Sequence, residues 1–452
     1  MNSLTRGLMA GVALLGAPVA VAAQNAPENL LPDDPAPVQQ QKVEAEKPVT
    51  MAAEPVVQAV DPMVQPWQVA DAQALVAVIK DIGSEGLDPA DYGLAALQQA
   101  LAAGPGPALD AAASQSFAWL VEDLRDGRTP MSARVQWFVV DPDPDLMPTG
   151  KVMADALASH DIAGSLAALN PTNPDYARLR GELAKTSAGD TARRKLIRAN
   201  MDRWRWLPRD LGKQYLMTNV PEYQLRLTVN DKIIRTYKTI VGKPGKTATP
   251  QLAEEVEGVI FNPTWTVPQS IVKGEGLGAK VLANPGWAQR AGYKAVKGAN
   301  GYVSVVQQPG PGNSLGLMKL DMPNEHAIFL HDTPSRGLFG ADVRALSHGC
   351  VRTERASELG LTLSILQAGI APEDGVAIIK SGKYTRVGFT EKMPVYITYF
   401  TMGTDIGGKM TSFKDIYGRD APVLASFDKP RQANRARKTD EKVVEIVDDL
   451  QD

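Results

Sequence analysis

The feature that most constrains this chain is a change in the spacing of its apolar residues near position 214. Before that point Leu75, Val78, Ile79 and Ile82 recur every three or four residues, as do Leu94, Leu97 and Leu101, and then Phe117, Leu120, Val121 and Leu124. This is the spacing of amphipathic helices. Beyond it, Tyr223, Leu225, Leu227 and Val229 alternate with Gln224, Arg226 and Thr228, Asn230-Asp231 reads as a turn, and Ile233 to Val241 is β-branched. A helical period cannot keep one face buried in a strand, so the chain needs two kinds of packing layer. The expectation is therefore an α+β protein. An all-helical domain is expected over 66–188, and a connecting helix over 189–213, opened by Asp190 and stopped at Pro208. A β-rich domain is expected over 214–425, with further strands at Val256 to Phe261, Ala327 to Leu330, Gly375 to Ile379 and Val395 to Phe400. Over 268–306 the alternation lapses into Gly, Ala and Lys, which reads as an insertion crossing the surface or capping a site.

The two ends read differently. Residues 1–23 have Arg6, an apolar stretch from Leu8 to Val21 and Ala20-Val21-Ala22, the pattern of a cleavable export signal, and no Cys follows to carry a lipid. The apolar run is short for a bilayer span, so no stable membrane anchor is expected. Residues 24–65 hold seven Pro and no aromatic residue, too little apolar surface to offset ordering entropy, and read as a disordered linker. Residues 426–452 read as a charged tail. In the connecting helix Arg193, Arg194, Lys195, Arg198, Arg203 and Arg205 read as a solvated face, with an anion-binding patch as the alternative. The whole chain of 452 residues carries a net charge of −3, which gives no bulk attraction for nucleic acid.

One Cys and four His leave little material for metal binding or disulfides. Two of the His precede the Cys within 19 residues: His331-Asp332-Thr333, and Ser347-His348-Gly349-Cys350-Val351-Arg352. A thiol becomes a useful nucleophile when its thiolate is stabilised or a base takes its proton. His348, two residues from Cys350, would share its face in an extended segment, and His331 would reach the sulfur from a neighbouring strand. Thr353 would cap a helix through Leu359, Leu363 and Leu366, placing a positive helix end near the sulfur. Gly349 would let backbone N–H groups approach an oxyanion, and Arg352 would offer a fork for a carboxylate. The alternatives are a zinc site built from His331, Asp332, His348 and Cys350, an inert buried thiol, and a surface ion pair for Arg352.

The run from His331 to Arg352 resembles the signature of the L,D-transpeptidases, the YkuD-type catalytic domain that remodels bacterial peptidoglycan. The stretches Asn200 to Pro208, Asn262 to Pro268, Pro309 to Gly316 and His331 to Pro334 are similar to the larger, YcbB-like branch. The helical region with Gly127-Arg128-Thr129-Pro130 resembles that branch's scaffold domain. The resemblance implies a periplasmic enzyme without a cofactor or metal. Cys350 would attack a donor tetrapeptide stem, release D-Ala and form a thioester. The side-chain amine of an acceptor diamino acid would then take the acyl group, giving a 3-3 cross-link. His331 would be the general base, often oriented by the backbone carbonyl next in sequence, His348 an auxiliary, and Asp332 an oxyanion or support residue whose role stays open. Ser347, Gly349 and Cys350 would supply oxyanion N–H groups, Arg352 would contact a stem carboxylate, and carbapenem β-lactams would acylate the Cys. Two departures stand out: no peptidoglycan-binding module fits between Ala184 and Asp190, and the capping insertion is short. Competing readings are an enzyme that attaches envelope proteins to the wall, a papain-like endopeptidase, and a non-catalytic wall-binding scaffold. The order His331 before Cys350 stands against the papain-like reading.

Overall fold

The computed structural model describes residues 64–139, 141–274, 276–298 and 301–432. The expected export signal, nearly all of the linker and the tail beyond residue 432 lie outside these residues.

The N-terminal half is helical, as its apolar spacing predicts. Helices Val69–Asp81, Leu94–Ala103 and Thr149–Ser159 pack around Pro107–Asp126, which buries Leu109, Ala113, Phe117, Leu120, Val121 and Leu124. Pro107 sits in the first turn, where its missing N–H costs nothing. Gly127 ends the helix at φ +86°, and a Cβ there would lie 2.6 Å from the Trp206 ring. Among the described residues no helix is long and apolar enough to cross a membrane.

The connecting helix is Thr191–Arg205, with the Asp190 carboxylate accepting from the Arg193 N–H as its N-cap. Neither reading of its basic run holds for the last turn. Arg203 and Arg205 are buried, because Arg203 pairs with Asp420 at 2.7 Å and Arg205 donates to the Glu85 carbonyl and the Tyr176 hydroxyl. A guanidinium tolerates the interior only with such partners. Trp204 and Trp206 of this segment join Tyr176 and Leu179 of the helical half and Tyr215, Met217, Tyr396 and Phe400 of the sheet in one apolar cluster.

The second half contains β1 (Gln214–Asn219), β2 (Gln224–Val229), β3 (Lys232–Gly242), β4 (Leu252–Phe261), β5 (Trp265–Thr266), β6 (Tyr293–Lys297), β7 (Val303–Gln307), β8 (Met318–Asp321), β9 (Leu330–His331), β10 (Ala345–Ser347), β11 (Val351–Thr353) and β12 (Thr385–Thr398). The main sheet runs β10-β3-β11-β9-β8-β4-β12-β1-β2, and an additional β2–β3 pairing closes it on itself. Its core is lined by Leu225, Leu227, Tyr237, Val256, Val259, Phe261, Leu320, Leu330, Val351 and Ile397.

Three expectations need correction, and the insertion gains a structure. Gly375 to Ile379 is not a strand but part of helix Pro372–Ser381, whose Pro372 and acidic Glu373 and Asp374 are helix-start signals that outweigh a short β-branched run. The strand expected over Ala327 to Leu330 shrinks to β9, because Ala327 adopts φ +52°. The insertion over 268–306 is a small folded unit. Three short helices, Gln269–Gly274, Leu277–Ala283 and Pro285–Arg290, pack on a β5-β7-β6 sheet around Trp265, Ile271, Leu277 and Val305. The charged tail does not start at 426: helix Asp420–Phe427 continues past it, and Arg431 pairs with Glu122 and with Asp123 on the scaffold helix.

Candidate active site

The sheet brings the two motifs together. β9 and β11 run parallel with Val351 opposite Leu330 and Arg352 opposite His331, and the Val351 N–H donates to the Phe329 carbonyl at 2.9 Å. Cys350 therefore stands one residue ahead of a strand whose neighbour ends in His331. The sulfur itself contacts the Ala327 carbonyl at 3.7 Å. A carbonyl only accepts, so the S–H donates in this arrangement. Cys350 has no exposed surface, and neither have His331, Ser347 and Arg352. The expectation of a reachable sulfur is not met in this conformation.

His331 is oriented by its neighbour's backbone. Nδ1 donates to the Asp332 carbonyl at 2.5 Å, which fixes the tautomer with the proton on Nδ1 and makes Nε2 the basic nitrogen. The Asp332 carboxylate does something else: Oδ2 accepts from the Leu317 N–H at 2.9 Å and from Arg336 at 3.2 Å. It fastens the His strand to the loop below the capping unit. Gly316, at φ +64°, lies against it, and a Cβ there would fall 2.5 Å from the carboxylate.

The Ser347–Cys350 segment is a turn, not an extended strand, so the shared-face reasoning for His348 and Cys350 fails. Ser347 Oγ donates to the Cys350 carbonyl at 2.6 Å and accepts from the Gly349 N–H at 3.1 Å, with Gly349 at φ +130°. Gly349 is thus no oxyanion donor here, because Ser347 already holds its N–H. His348 is partly exposed beside the turn, and its Nδ1 makes no hydrogen bond among the described residues. Arg352 is interior, not a surface ion pair, and burial lowers its pKa to about 10. Thr353 is no helix cap: it ends β11, and the following helix, Ala356–Ala368, starts after Arg355 at φ +50°, with no side-chain cap. No group of His, Cys, Asp and Glu capable of holding a metal occurs among the described residues.

Two contributors escaped the sequence reading. Asn324 ties the loop that presents Ala327: its amide donates to the Met322 and Ile328 carbonyls, and its Oδ1 accepts from the His326 and Ile328 N–H groups. Its signal was available, since Asn bonding its own backbone is ordinary turn chemistry. Thr249 donates to the Gly349 carbonyl at 2.7 Å from 100 residues away, a contact that no local pattern announces.

Family models match both halves of this layout. Residues 213–361 match the L,D-transpeptidase catalytic domain family (YkuD), and residues 67–183 match the scaffold domain family. A curated Haemophilus influenzae protein named "Putative L,D-transpeptidase" is 30% identical over 223 residues, covering 46% of this chain and 45% of that one, so the match spans under half of the relative's length. Among solved structures, an Enterococcus faecium L,D-transpeptidase mutant shares 15% identity over 42% of this chain and 52% of its own, with a TM-score of 0.20. An L,D-transpeptidase in complex with imipenem shares 13% over 41% of this chain and 59% of its own, also at 0.20. The chain thus carries a YkuD-type L,D-transpeptidase catalytic domain behind a scaffold domain.

Proposed function

We propose that the protein acts outside the cytoplasm, in the periplasm, as a cysteine L,D-transpeptidase that forms 3-3 cross-links between peptidoglycan stems. The observation that carries this reading is the pairing of β9 with β11, which sets the oriented His331 beside the segment holding the sole Cys. In the first step His331 Nε2 takes the thiol proton, and Sγ bonds to the carbonyl carbon before D-Ala of a donor tetrapeptide. The oxygen's developing charge meets the Cys350 N–H. The C–N bond then breaks, the amine of D-Ala leaves with the proton from His331, and a thioester remains. The amine of an acceptor diamino acid attacks this thioester, passes its proton to His331 and restores the thiol. Arg352 and His348 would support the substrate carboxylate and the oxyanion. A carbapenem, as a strained acyl donor, would stop at the first step.

Purified protein incubated with tetrapeptide muropeptides should give 3-3 dimers, and Cys350→Ala should give none. Incubation with a carbapenem should give one adduct by intact mass, mapping to Cys350. Dimer formation by the alanine variant, or an adduct on another residue, would refute the assignment.

A further inference from the structure

The mechanism above leaves unexplained what aims the Cys350 N–H. Ser347 holds the Gly349 N–H and the Cys350 carbonyl, the outer bonds of the turn. The peptide plane between Gly349 and Cys350 lies between those anchors, next to a glycine at φ +130° that resists rotation less than any other residue. Its carbonyl oxygen is held by Thr249, which is fully buried and lies between β3 and β4. Thr249 Oγ1 accepts from the Gly242 N–H at 2.8 Å and donates to the Gly349 carbonyl at 2.7 Å, so the hydroxyl has one available orientation. A trans peptide points its C=O and N–H in opposite directions across a rigid plane. Fixing the Gly349 oxygen therefore fixes the direction of the Cys350 N–H.

Thr249 is itself held from the scaffold side. Its N–H donates to the Tyr417 hydroxyl at 3.2 Å, and its carbonyl accepts from Arg419 Nη2 at 3.0 Å. The same nitrogen bonds Gln136 Oε1 of the scaffold domain. The Arg419 guanidinium lies 4.9 Å from the ring centroids of both Tyr399 and Tyr417, which keeps it from swinging. Gln136 sits on a segment laid along Gln251. The Gln251 N–H donates to the Gln136 carbonyl at 2.9 Å, and the Phe138 N–H donates to the Gln251 carbonyl at 2.9 Å. This contact lies two positions along the chain from Thr249, with only Pro250 between.

We propose that Thr249 is a positioning residue for the oxyanion step, and that the scaffold segment around Gln136 braces it through Arg419. The scaffold domain is then part of the acylation machinery and not only a spacer. This rests on the acyl-transfer reading, and two reactions of the same sulfur separate the two claims. Carbapenem acylation forms the Sγ–C bond, builds an oxyanion, then breaks the lactam C–N bond as the ring nitrogen takes a proton. Alkylation by iodoacetamide displaces iodide from an sp³ carbon and builds no oxyanion.

Both rates are to be measured on the full chain as wild type, Thr249→Val, Thr249→Ser and Gln136→Ala. Thr249→Val should slow acylation by about tenfold to a hundredfold. Its alkylation rate and alkylation pH midpoint should stay close to those of the wild type. Thr249→Ser, which keeps the hydroxyl, should restore acylation. Gln136→Ala should lower the acylation-to-alkylation ratio in the same direction by about threefold. An unchanged ratio in Thr249→Val overturns the positioning role, and an equal loss of both rates marks mere packing and overturns it as well. An unchanged ratio in Gln136→Ala overturns the brace. If the wild type is alkylated at Cys350 but takes no carbapenem, the acyl-transfer reading itself fails.

Discussion

At the residue scale, most site positions answer to one short-range geometric demand each. Asp332 was expected as a support of the site with its role open; its carbonyl accepts from the imidazole while its carboxylate ties down the loop at Leu317. Gly316 is required because that carboxylate lies where its Cβ would be. Gly316→Ala should therefore displace Asp332 and unsettle His331. The expected outcome is a loss of acylation of about tenfold or more, with a fall in thermal midpoint of a few degrees; wild-type kinetics in that variant would show that the loop does not communicate with the His. What was legible at this scale was the chemistry written in consecutive residues, His331-Asp332 and Ser347 to Arg352. What was not legible depends on residues distant in sequence. Thr249 reaches Gly349, and the sulfur meets the Ala327 carbonyl 23 residues away, only once the sheet has formed.

At the element scale, period gave the strands and helices wherever one face is buried, and failed where the run was short. Ile378 and Ile379 suggested a strand because two β-branched residues stand together, yet Pro372 at the start and Gly382 after the end delimit a helix. The capping insertion showed no clear period because its elements are five to seven residues long, apart from the two-residue β5. The turn Gly127–Thr129 shows how an element end is fixed from outside. Asp202 accepts from the Arg128 and Thr129 N–H groups at 2.6 and 3.0 Å and from the Trp206 indole at 3.0 Å; burial raises its pKa, but the Arg205 and Arg134 charges, with the bonds from Thr129 and Arg128, outweigh it and hold the pKa below the usual value. Gly127→Ala would combine a positive φ with a collision against Trp206. The expected cost is about 2 kcal/mol or more, read as a lower denaturation midpoint with little change in the rate per folded molecule.

At the scale of the whole molecule, the helical half and the sheet share a core through Trp204, Trp206, Tyr176 and Phe400, which a boundary drawn from periodicity at residue 214 does not reveal. Two acids raise a pH question for the assembly. Asp141 is raised to about 7 by burial and by Asp143, and Glu254 to about 7 by burial and by Glu325. A carboxyl raised on folding binds its proton more tightly in the native state, so stability is greatest below its unfolded value near 4 and declines as pH rises through 7. The thermal midpoint should therefore fall between pH 5 and 8, and Asp141→Asn should flatten that fall. An equal slope in the variant would remove Asp141 as a cause.

The hydrogen bond from the sole thiol to Ala327, in a position closed to solvent, bears on how long such a protein remains usable. A sulfur shut away between turnovers offers little to peroxide, and two copies meeting by chance have no exposed sulfur with which to couple. Chemical ageing would then fall on the intervals when the sulfur is uncovered, so the working lifetime of the protein would be counted in such exposures more than in hours.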